Sequence, residues 1–298
     1  HYFNLGLEAS GDIFVLDIGF KPFDNIENHI EIIEHHDASI CAPTHSENIH
    51  KYSRGKVISV AGSCGYTGAC ILAVNSALNS GAGIVKALVP ESLCNLYESC
   101  LTEAIMVPIK DHDKGTFITD HINKMLSEIE FADAVLFGPG LQSDSVAIEW
   151  MTEVLININK PLILDASGFQ PIIDKKLKID DLPKETILTP HYAEFSRIFE
   201  INMEETMKNP IVAVKSIISQ LNGRVLILKG ATNIIVTSEG KILLMNYGTP
   251  ALATAGSGDV LTGILASAKA QGLNMNETAV YSTYLHAECA HQYYQKIS

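Results

Sequence analysis

The chain has 298 residues, of which 47% are hydrophobic and 18% are charged, and its formal net charge is −13. This length and composition suit one large α/β domain or two small ones, and they exclude a disordered chain. The acidic balance argues against nucleic acid as a partner, and the lack of any run of about 18 apolar residues argues against a membrane span.

The first 50 residues are interpreted as a lead-in to the main domain. Asp12–Ile18 predicts one strand, and a polar stretch from Asn25 to His36 and a loop around Pro43 follow it. The chain opens at His1 with neither Met nor an export signal, so we expect a partial or trimmed chain. Surface positions are expected for His29, His35, His36, His45 and His50.

From Lys56 onward, short apolar runs alternate with segments of helical spacing. Buried parallel strands are predicted at Val57–Ala61, Ile84–Val89, Ala134–Phe137, Leu162–Leu164, Thr186–Leu188 and Arg224–Leu228. Asn233–Thr237 and Lys241–Met245 flank Ser238-Glu-Gly240, which predicts a hairpin of antiparallel strands at the end of the sheet. Helices are predicted over 69–78, 257–271 and 277–294. The alternation indicates an α/β fold whose mostly parallel sheet is covered on both faces.

Most of these predicted strands end in small, turn-forming or polar residues. The groups are Gly62-Ser63, Gly138-Pro-Gly140, Asp165-Ala-Ser167, Thr189-Pro-His191 and Lys229-Gly230. Ligands of open α/β sheets bind beyond the carboxyl ends of the strands. We therefore expect these groups to line one site.

The segment Ala255-Gly-Ser-Gly-Asp259 opens the helix predicted from Ser257. Its glycines allow close approach of an anion, and the helix start offers free N–H groups and the positive end of the dipole. Asp259 in the first turn would lie beside bound phosphates, where a carboxylate can act as a base toward a hydroxyl. The alternative is that Ser257 or Asp259 serves only as a helix N-cap.

Three further segments carry weaker signals. Gly62–Ala69 predicts either a phosphate or ribose cradle or only a tight turn. Lys229 at a strand end either neutralises a phosphate or is solvated at a turn. His191 and Glu194 are spaced for one helix face, which would allow a metal site. We prefer a capping role at the helix start for Glu194, with His191 facing the ligand.

The six cysteines bear on the cellular compartment. None of them forms a C-x-x-C pair, so neither a zinc site nor a redox motif is indicated. A disulfide framework is formally possible for an even number, but free thiols in the cytosol are favoured for a chain of this size.

Taken together, these motifs resemble the ATP- or ADP-dependent NAD(P)H-hydrate dehydratase family, a branch of the ribokinase-like superfamily. The matching segments, in the family's order, are His50-Lys51, Gly55-Lys56-Val57, Gly62-Ser63 with Thr67-Gly68-Ala69, Ser80–Gly83, Gly138–Leu141, Leu164-Asp165-Ala166, Thr189-Pro-His-x-x-Glu194, Leu228–Ala231 and Ala253–Gly263. Ser167 and Gln142 depart from the family's pattern. The resemblance implies a three-layer α/β/α sandwich with a mostly parallel central sheet and antiparallel edge strands.

The resemblance also implies a reaction, the repair of hydrated NADH or NADPH, which carries a hydroxyl on its nicotinamide ring. ADP or ATP would be consumed with Mg²⁺, because phosphorylation turns the hydroxyl into a good leaving group. Asp259 would be the catalytic base, and it would also contact the hydrated dinucleotide together with Ala69, Gly140 and His191. The adenine nucleotide would be held by Lys229, Gly230, Ala231, Thr232, Asn233, Gly256, Ser257 and Gly258. No residue is assigned as a metal ligand.

Domain organisation and partners follow from the same resemblance. Gly11–Gly19 looks like the segment that joins an N-terminal epimerase domain to the dehydratase in two-domain members. Residues 1–25 would then be a linker remnant and 26–298 the dehydratase domain. We expect an epimerase domain or partner, a homo-oligomer taken as a tetramer, and a cytoplasmic location.

Two other functions stay open. A ribokinase-like kinase for a vitamin precursor shares the Gly-Ser-Gly-Asp turn, and a non-catalytic nucleotide-binding module would bind without turnover. The chain contains no G-x-G-x-x-G, no Walker A sequence and no G-x-S-x-G, which disfavours a Rossmann dinucleotide fold, a P-loop enzyme and a serine hydrolase.

Overall fold

The computed structural model describes residues 16, 19, 30–44 and 50–297. The strand predicted at Asp12–Ile18 lies outside the described residues except for Leu16, and His29 and His45 lie outside them too. The other lead-in histidines, His35, His36 and His50, are exposed as predicted. Among the described helices, none is both long and apolar enough to cross a bilayer.

Ten strands of the described part form one sheet in the order β1-β10-β9-β8-β7-β6-β5-β2-β3-β4. They are β1 Ile30–Ile32, β2 Lys56–Val60, β3 Ile84–Pro90, β4 Ile105–Ile109, β5 Ala134–Phe137, β6 Leu162–Leu164, β7 Thr186–Leu188, β8 Val225–Leu228, β9 Asn233–Val236 and β10 Ile242–Met245. The six predicted parallel strands are thereby confirmed to within one residue at each end. β5 to β8 are buried along their whole length, because helices cover both faces of the sheet.

The predicted hairpin is confirmed, but its place in the sheet differs from the expectation. β9 pairs antiparallel with both β8 and β10, so the antiparallel strand lies inside the sheet. The edge beside it is β1, which pairs parallel with β10. The sequence did not indicate β1, because only three residues of a polar stretch form it. Two residues of the expected lead-in, Ile33 and Ala38, are also buried in the core.

The helices are α1 His35–Ile40, α2 Thr67–Asn79, α3 Cys94–Cys100, α4 Ile122–Ile129, α5 Ser145–Asn157, α6 Gln170–Ile173, α7 Tyr192–Phe199, α8 Met203–Lys208, α9 Pro210–Leu221, α10 Ser257–Ala270 and α11 Met275–Ile297. Alternate residues of β2 point to opposite faces, so Val57 and Ile58 belong to two separate cores. One core includes α4, α5 and α9, and the other includes α2, α10 and α11. The fold is therefore the expected three-layer α/β/α sandwich.

The close packing of α2 against α10 positions the site. A Cβ at Gly263 would overlap the backbone carbonyl of Ala73 and the hydroxyl of Ser76. Only glycine at this point of α10 allows the two helix backbones to approach so closely. As a result, the first turns of α2 and α10 lie side by side at the carboxyl edge of the sheet.

Candidate active site

Five neighbouring strands, β8, β7, β6, β5 and β2, bring their carboxyl ends to one edge of the sheet. Backbone hydrogen bonds continue this strand order beyond the strand ends. The Asp165 N–H donates to the Phe137 carbonyl at 3.1 Å, and the Thr189 N–H donates to the Leu164 carbonyl at 3.1 Å. The Lys229 N–H donates to the Pro190 carbonyl at 2.8 Å. The groups that follow these strands therefore meet at one edge, as the sequence predicted.

The glycine-rich turn forms the start of α10. Gly256 is the N-cap residue and has a φ of 91°, a left-handed conformation that favours glycine. Ser257 is the first helical residue, and its hydroxyl donates to the carbonyl of Leu252 at 2.8 Å. The alternative in which Ser257 or Asp259 is the N-cap is therefore wrong. The Ser257 N–H donates to the Thr254 carbonyl at 3.4 Å, whereas the N–H groups of Gly258 and Asp259 have no acceptor within the helix and are available to an anion.

A buried carboxylate stands beneath this turn. Asp165, 1% exposed, accepts a hydrogen bond from Lys229 Nζ on Oδ1 at 2.7 Å and from Thr262 Oγ1 on Oδ2 at 2.8 Å. Burial lowers the pKa of Lys229, but the ion pair with Asp165 raises it by more, so the net shift of the pKa is upward. A Cβ on Gly258 would lie 3.3 Å from Lys229 Nζ, so the lysine lies directly against the turn.

Asp259 is half-buried in the first turn of α10. Burial raises its pKa, the charge of Asp165 raises it further, Lys229 lowers it, and the resulting pKa is about 6. A carboxylate with such a pKa accepts a proton near neutral pH much more readily than an ordinary aspartate. Asp259 therefore has the electrostatic environment of a general base.

His191 and Glu194 form the cap of α7. His191 Nδ1 accepts hydrogen bonds from the N–H groups of Ala193 and Glu194, and Glu194 Oε2 accepts one from the His191 N–H at 2.9 Å. This reciprocal capping box confirms the predicted capping role. Burial and the charge of Asp165 raise the pKa of Glu194, and the charge of Lys229 lowers it. This carboxylate therefore lies close to the ion pair of Asp165 and Lys229.

The predicted dinucleotide residues Ala69 and Gly140 lie together at the start of α2. Gly140 has a φ of 66°, and a Cβ there would lie 2.8 Å from Ala69 Cβ. The Ser63 hydroxyl donates to the Gly140 carbonyl at 2.7 Å, which joins the loop after β2 to the loop after β5. Of the two positions that depart from the family's pattern, Gln142 donates from Nε2 to the Cys64 carbonyl at 3.4 Å, and Ser167 is half-buried.

The predicted nucleotide residues after β8 form a tight turn. The Gly230 N–H donates to Asn233 Oδ1 at 3.1 Å, and Thr232 is buried. A Cβ on Gly248 would lie 3.0 Å from the Ala231 carbonyl, so the segment leading to α10 crosses this turn. Lys229 to Asn233 and Gly256 to Gly258 are thus brought to one place, while Ala69 and Gly140 lie on the α2 side of Asp259.

The family model described as NAD(P)H-hydrate dehydratase matches residues 57–298. The chain belongs to this family. All of the site residues above lie within the matched range, and so do the strands and helices that carry them, apart from Lys56 at the start of β2.

Two relatives and one fold neighbour illustrate the dehydratase family membership. A bifunctional NAD(P)H-hydrate repair enzyme from Dictyoglomus turgidum is 32% identical over 265 residues, which cover 88% of this chain and 51% of the relative. ADP/ATP-dependent NAD(P)H-hydrate dehydratase from Bacillus subtilis, co-crystallised with ATP and Mg²⁺, is 25% identical with a TM-score of 0.74 and covers 89% of this chain and 90% of that chain. A ribokinase-like superfamily protein from Enterococcus faecalis, 23% identical with a TM-score of 0.75 over 89% of each chain, supports the fold alone. This chain spans about half the length of the curated bifunctional relatives it matches.

Three residues of this dehydratase-family site carried no predicted chemical role. Asp165 was expected only to line the site, as part of the Asp165-Ala-Ser167 group, and Thr262 lay unremarked within the Ala253–Gly263 motif. His286 on α11 is 9% exposed, and burial together with the charge of Lys229 lowers its pKa to about 4. No motif marks His286, since its position depends on how α11 packs behind the start of α10.

The donor groups do not form a metal site built by the protein. Within residues 16, 19, 30–44 and 50–297, no group of three or more His, Cys, Asp or Glu side chains is arranged to hold a metal ion. Both carboxylate oxygens of Asp165 already accept hydrogen bonds from Lys229 and Thr262. All six cysteines are free thiols.

Proposed function

We propose that this chain uses ADP or ATP to dehydrate hydrated NADH or NADPH to the normal reduced cofactor. The family membership supports the reaction class. The observation that carries the proposal is the position of Asp259, a carboxylate with a pKa raised to about 6 in the first turn of α10, close to the Lys229 ammonium. A base and a phosphate-binding turn then occupy the same helix start.

In the proposed reaction, the ring hydroxyl of the hydrated cofactor attacks the terminal phosphoryl group of the nucleotide. Asp259 takes the hydroxyl proton as the new O–P bond forms and the bond to the leaving nucleotide breaks. Loss of phosphate, together with a proton from the neighbouring ring carbon, then restores the double bond. The chemistry needs the phosphoryl transfer because hydroxide is a poor leaving group.

The nucleotide side of the proposed site consists of two segments. Backbone donors of the segment Gly256 to Gly258 would stabilise the charge on the transferred phosphoryl group, the Gly258 N–H above all, because the Ser257 N–H already donates to the Thr254 carbonyl. Lys229 lies against Gly258, and Gly230 to Asn233 would hold the remainder of the adenine nucleotide. Mg²⁺ enters this proposal with the nucleotide phosphates, where it would neutralise charge, and no described residue is assigned to it.

The dinucleotide side would be formed by Ala69, Gly140 and His191, with Asp259 between the two ligands. The contact between Ala69 and Gly140 supports this grouping because any side chain on Gly140 would crowd Ala69. His191 uses Nδ1 in the helix cap, and its Nε2 lies 3.4 Å from Glu194 Oε1. The side chain is 54% exposed, so a bound dinucleotide would contact the ring from its open side.

The wider setting is also a proposal. We propose a cytoplasmic enzyme that acts as a homo-oligomer, taken as a tetramer, together with an epimerase domain or partner. The proposed linker 1–25 and dehydratase domain 26–298 belong to the same hypothesis. Size determination by light scattering tests the tetramer, and a monomer would contradict it.

The function is tested by incubating the protein with hydrated NADH and either ATP or ADP. We expect the absorbance of reduced nicotinamide to recover, with one inorganic phosphate released for each NADH formed. No recovery with either nucleotide would contradict the dehydratase reaction. Recovery without phosphate release would contradict the phosphorylated intermediate. Nucleotide binding without any turnover would instead support the non-catalytic module.

A further inference from the structure

Asp165 lies at the centre of the site, yet it is not free to bind a ligand. It is 1% exposed, and each of its two carboxylate oxygens already accepts a hydrogen bond, from Lys229 and from Thr262. A carboxylate buried this deeply is tolerated only when it is paired and hydrogen-bonded. Asp165 therefore acts on the reaction through its neighbours.

These neighbours belong to two different elements that meet at the phosphate turn. Lys229 follows β8, Thr262 is in the second turn of α10, and Asp165 follows β6, so one carboxylate joins three elements. The Thr262 hydroxyl is also 2.9 Å from the Gly258 carbonyl, but its single proton favours the charged acceptor. The start of α10, which carries Asp259, is thus tied to the sheet.

The backbone around Asp165 is constrained as well. The next residue, Ala166, has a φ of 51°, a left-handed conformation that costs free energy for a residue with a Cβ. A Cβ on Gly138 would overlap the Asp165 carbonyl, and the Gly168 N–H donates to that carbonyl at 3.0 Å. The fold therefore accepts local strain to hold Asp165 in one position, which is typical of functional sites.

We propose that Asp165 is a positioning residue for Asp259, holding Lys229 and α10 together at the phosphate turn. The inference rests on the proposed function for its catalytic readout. Asp165 also competes with the nucleotide for the Lys229 ammonium. Positioning and nucleotide affinity therefore oppose each other: the carboxylate that orders the turn weakens its attraction for phosphate.

The test is Asp165→Asn, which keeps the shape of the side chain and removes its charge. We expect kcat to fall by up to about 100-fold, as expected for a displaced catalytic group. At the same time, Kd for ADP, measured by calorimetry, should fall severalfold because Lys229 is released and a negative charge is lost. A purely structural role would predict weaker binding in a less stable protein, so a weaker affinity or a kcat within about twofold of the parent chain overturns the proposal.

The pH dependence supplies a second readout. The charged groups that act on Asp259 are Asp165 and Lys229, while Asp259 itself raises the pKa of the Cys70 thiol on α2, which stays neutral in this range. Asp165→Asn removes a negative neighbour, so the acid limb of kcat should move to lower pH. An acid limb that stays in place overturns the proposal. Asp180→Asn is the matched control, since Asp180 contacts the buried Arg224 at the opposite edge of the sheet and should change none of these quantities.

The results for Asp165→Asn count only if urea unfolding shows that this variant folds. If it does not fold, a second pair of variants tests the proposal. Thr262→Ser keeps the hydroxyl that donates a hydrogen bond to Asp165, whereas Thr262→Val removes it at nearly constant volume. We expect Thr262→Ser to retain kcat and Thr262→Val to lose it, and equal kcat in the two variants overturns the proposal. If the parent chain binds ADP but restores no NADH, only the proposed function is contradicted. The positioning role is then decided by comparing the Kd for ADP of Asp165→Asn with that of the parent chain.

Discussion

Lys229 reaches across the end of β7 and donates to Asp165 at 2.7 Å, joining the ends of β8 and β6. The charges of Asp165, Glu194 and Asp259 all raise the pKa of this lysine. Burial raises the pKa values of Glu194 and Asp259, and the charge of Asp165 raises both further although Lys229 lowers them. Asp259, with a pKa of about 6, is therefore arranged to take up a proton close to neutral pH.

The first prediction concerns stability. Asp259 has a higher pKa in the folded protein than in the unfolded chain, so it stabilises the fold below its unfolded pKa and this contribution is lost as pH rises through about 6. At pH 7 its charge destabilises the fold. Asp259→Asn should then raise the free energy of unfolding in urea by about 1 kcal/mol, after allowance for partial exposure. Asp133→Asn at the opposite edge is the control, and a decrease in stability for Asp259→Asn would contradict the assignment.

The second prediction concerns the pH dependence of turnover. A base must be unprotonated to accept the hydroxyl proton, so kcat should fall as pH drops below about 6. Initial rates at saturating nucleotide and hydrated NADH would give the profile, and circular dichroism would show that the protein stays folded. A kcat that is flat through this range would argue against Asp259 as the base.

The third prediction concerns His286. Its pKa is lowered from 6.5 to about 4, so it is neutral when folded, and its contribution to stability is lost as pH falls through that window. Asp259 contributes in the opposite direction, so the comparison is made in the Asp259→Asn background. In that background, His286→Gln should reduce the loss of unfolding free energy as the pH falls from 6.5 to about 4. An unchanged slope would mean that His286 takes up its proton as freely in the folded protein as in the unfolded chain.

The fourth prediction compares two glycines, each the second residue of a helix. A Cβ on Gly258 would lie 3.3 Å from Lys229 Nζ, whereas a Cβ on Gly68 would meet no atom within 4 Å. Gly258→Ala should therefore weaken ADP binding roughly tenfold, which corresponds to about 1.4 kcal/mol. The gain in helix propensity should keep its stability close to that of the parent chain. Gly68→Ala should leave ADP affinity unchanged, and equal affinities for both variants would contradict the role of the turn.

Much of the fold was predictable because local patterns determine it. Ala134–Phe137, Leu162–Leu164 and Thr186–Leu188 are short apolar runs followed by turn residues, and the structure has these strands at the predicted positions. β1 escaped prediction because a three-residue edge strand with no fully buried residue carries little apolar signal. Ile30 is 36% exposed and Glu31 is exposed as well.

The site was predictable in outline and not in its contacts. Parallel strands end at one edge, which is why the neighbourhood of Asp165, His191 and Lys229 could be expected from the sequence. The ion pair between Asp165 and Lys229 could not be expected, since it depends on a side chain reaching past the intervening strand. His286 belongs to the same class, because its burial depends on helix packing.

The most direct test of the central claim is the turnover of Asp259→Asn with hydrated NADH and the preferred nucleotide. General-base catalysis contributes roughly 10²- to 10⁴-fold, so kcat should fall by that factor while Kd for ADP stays the same or tightens. Asp133→Asn should retain the rate of the parent chain. A variant that folds, binds ADP and still restores NADH at the rate of the parent chain would contradict the account, because the proton would then have another acceptor.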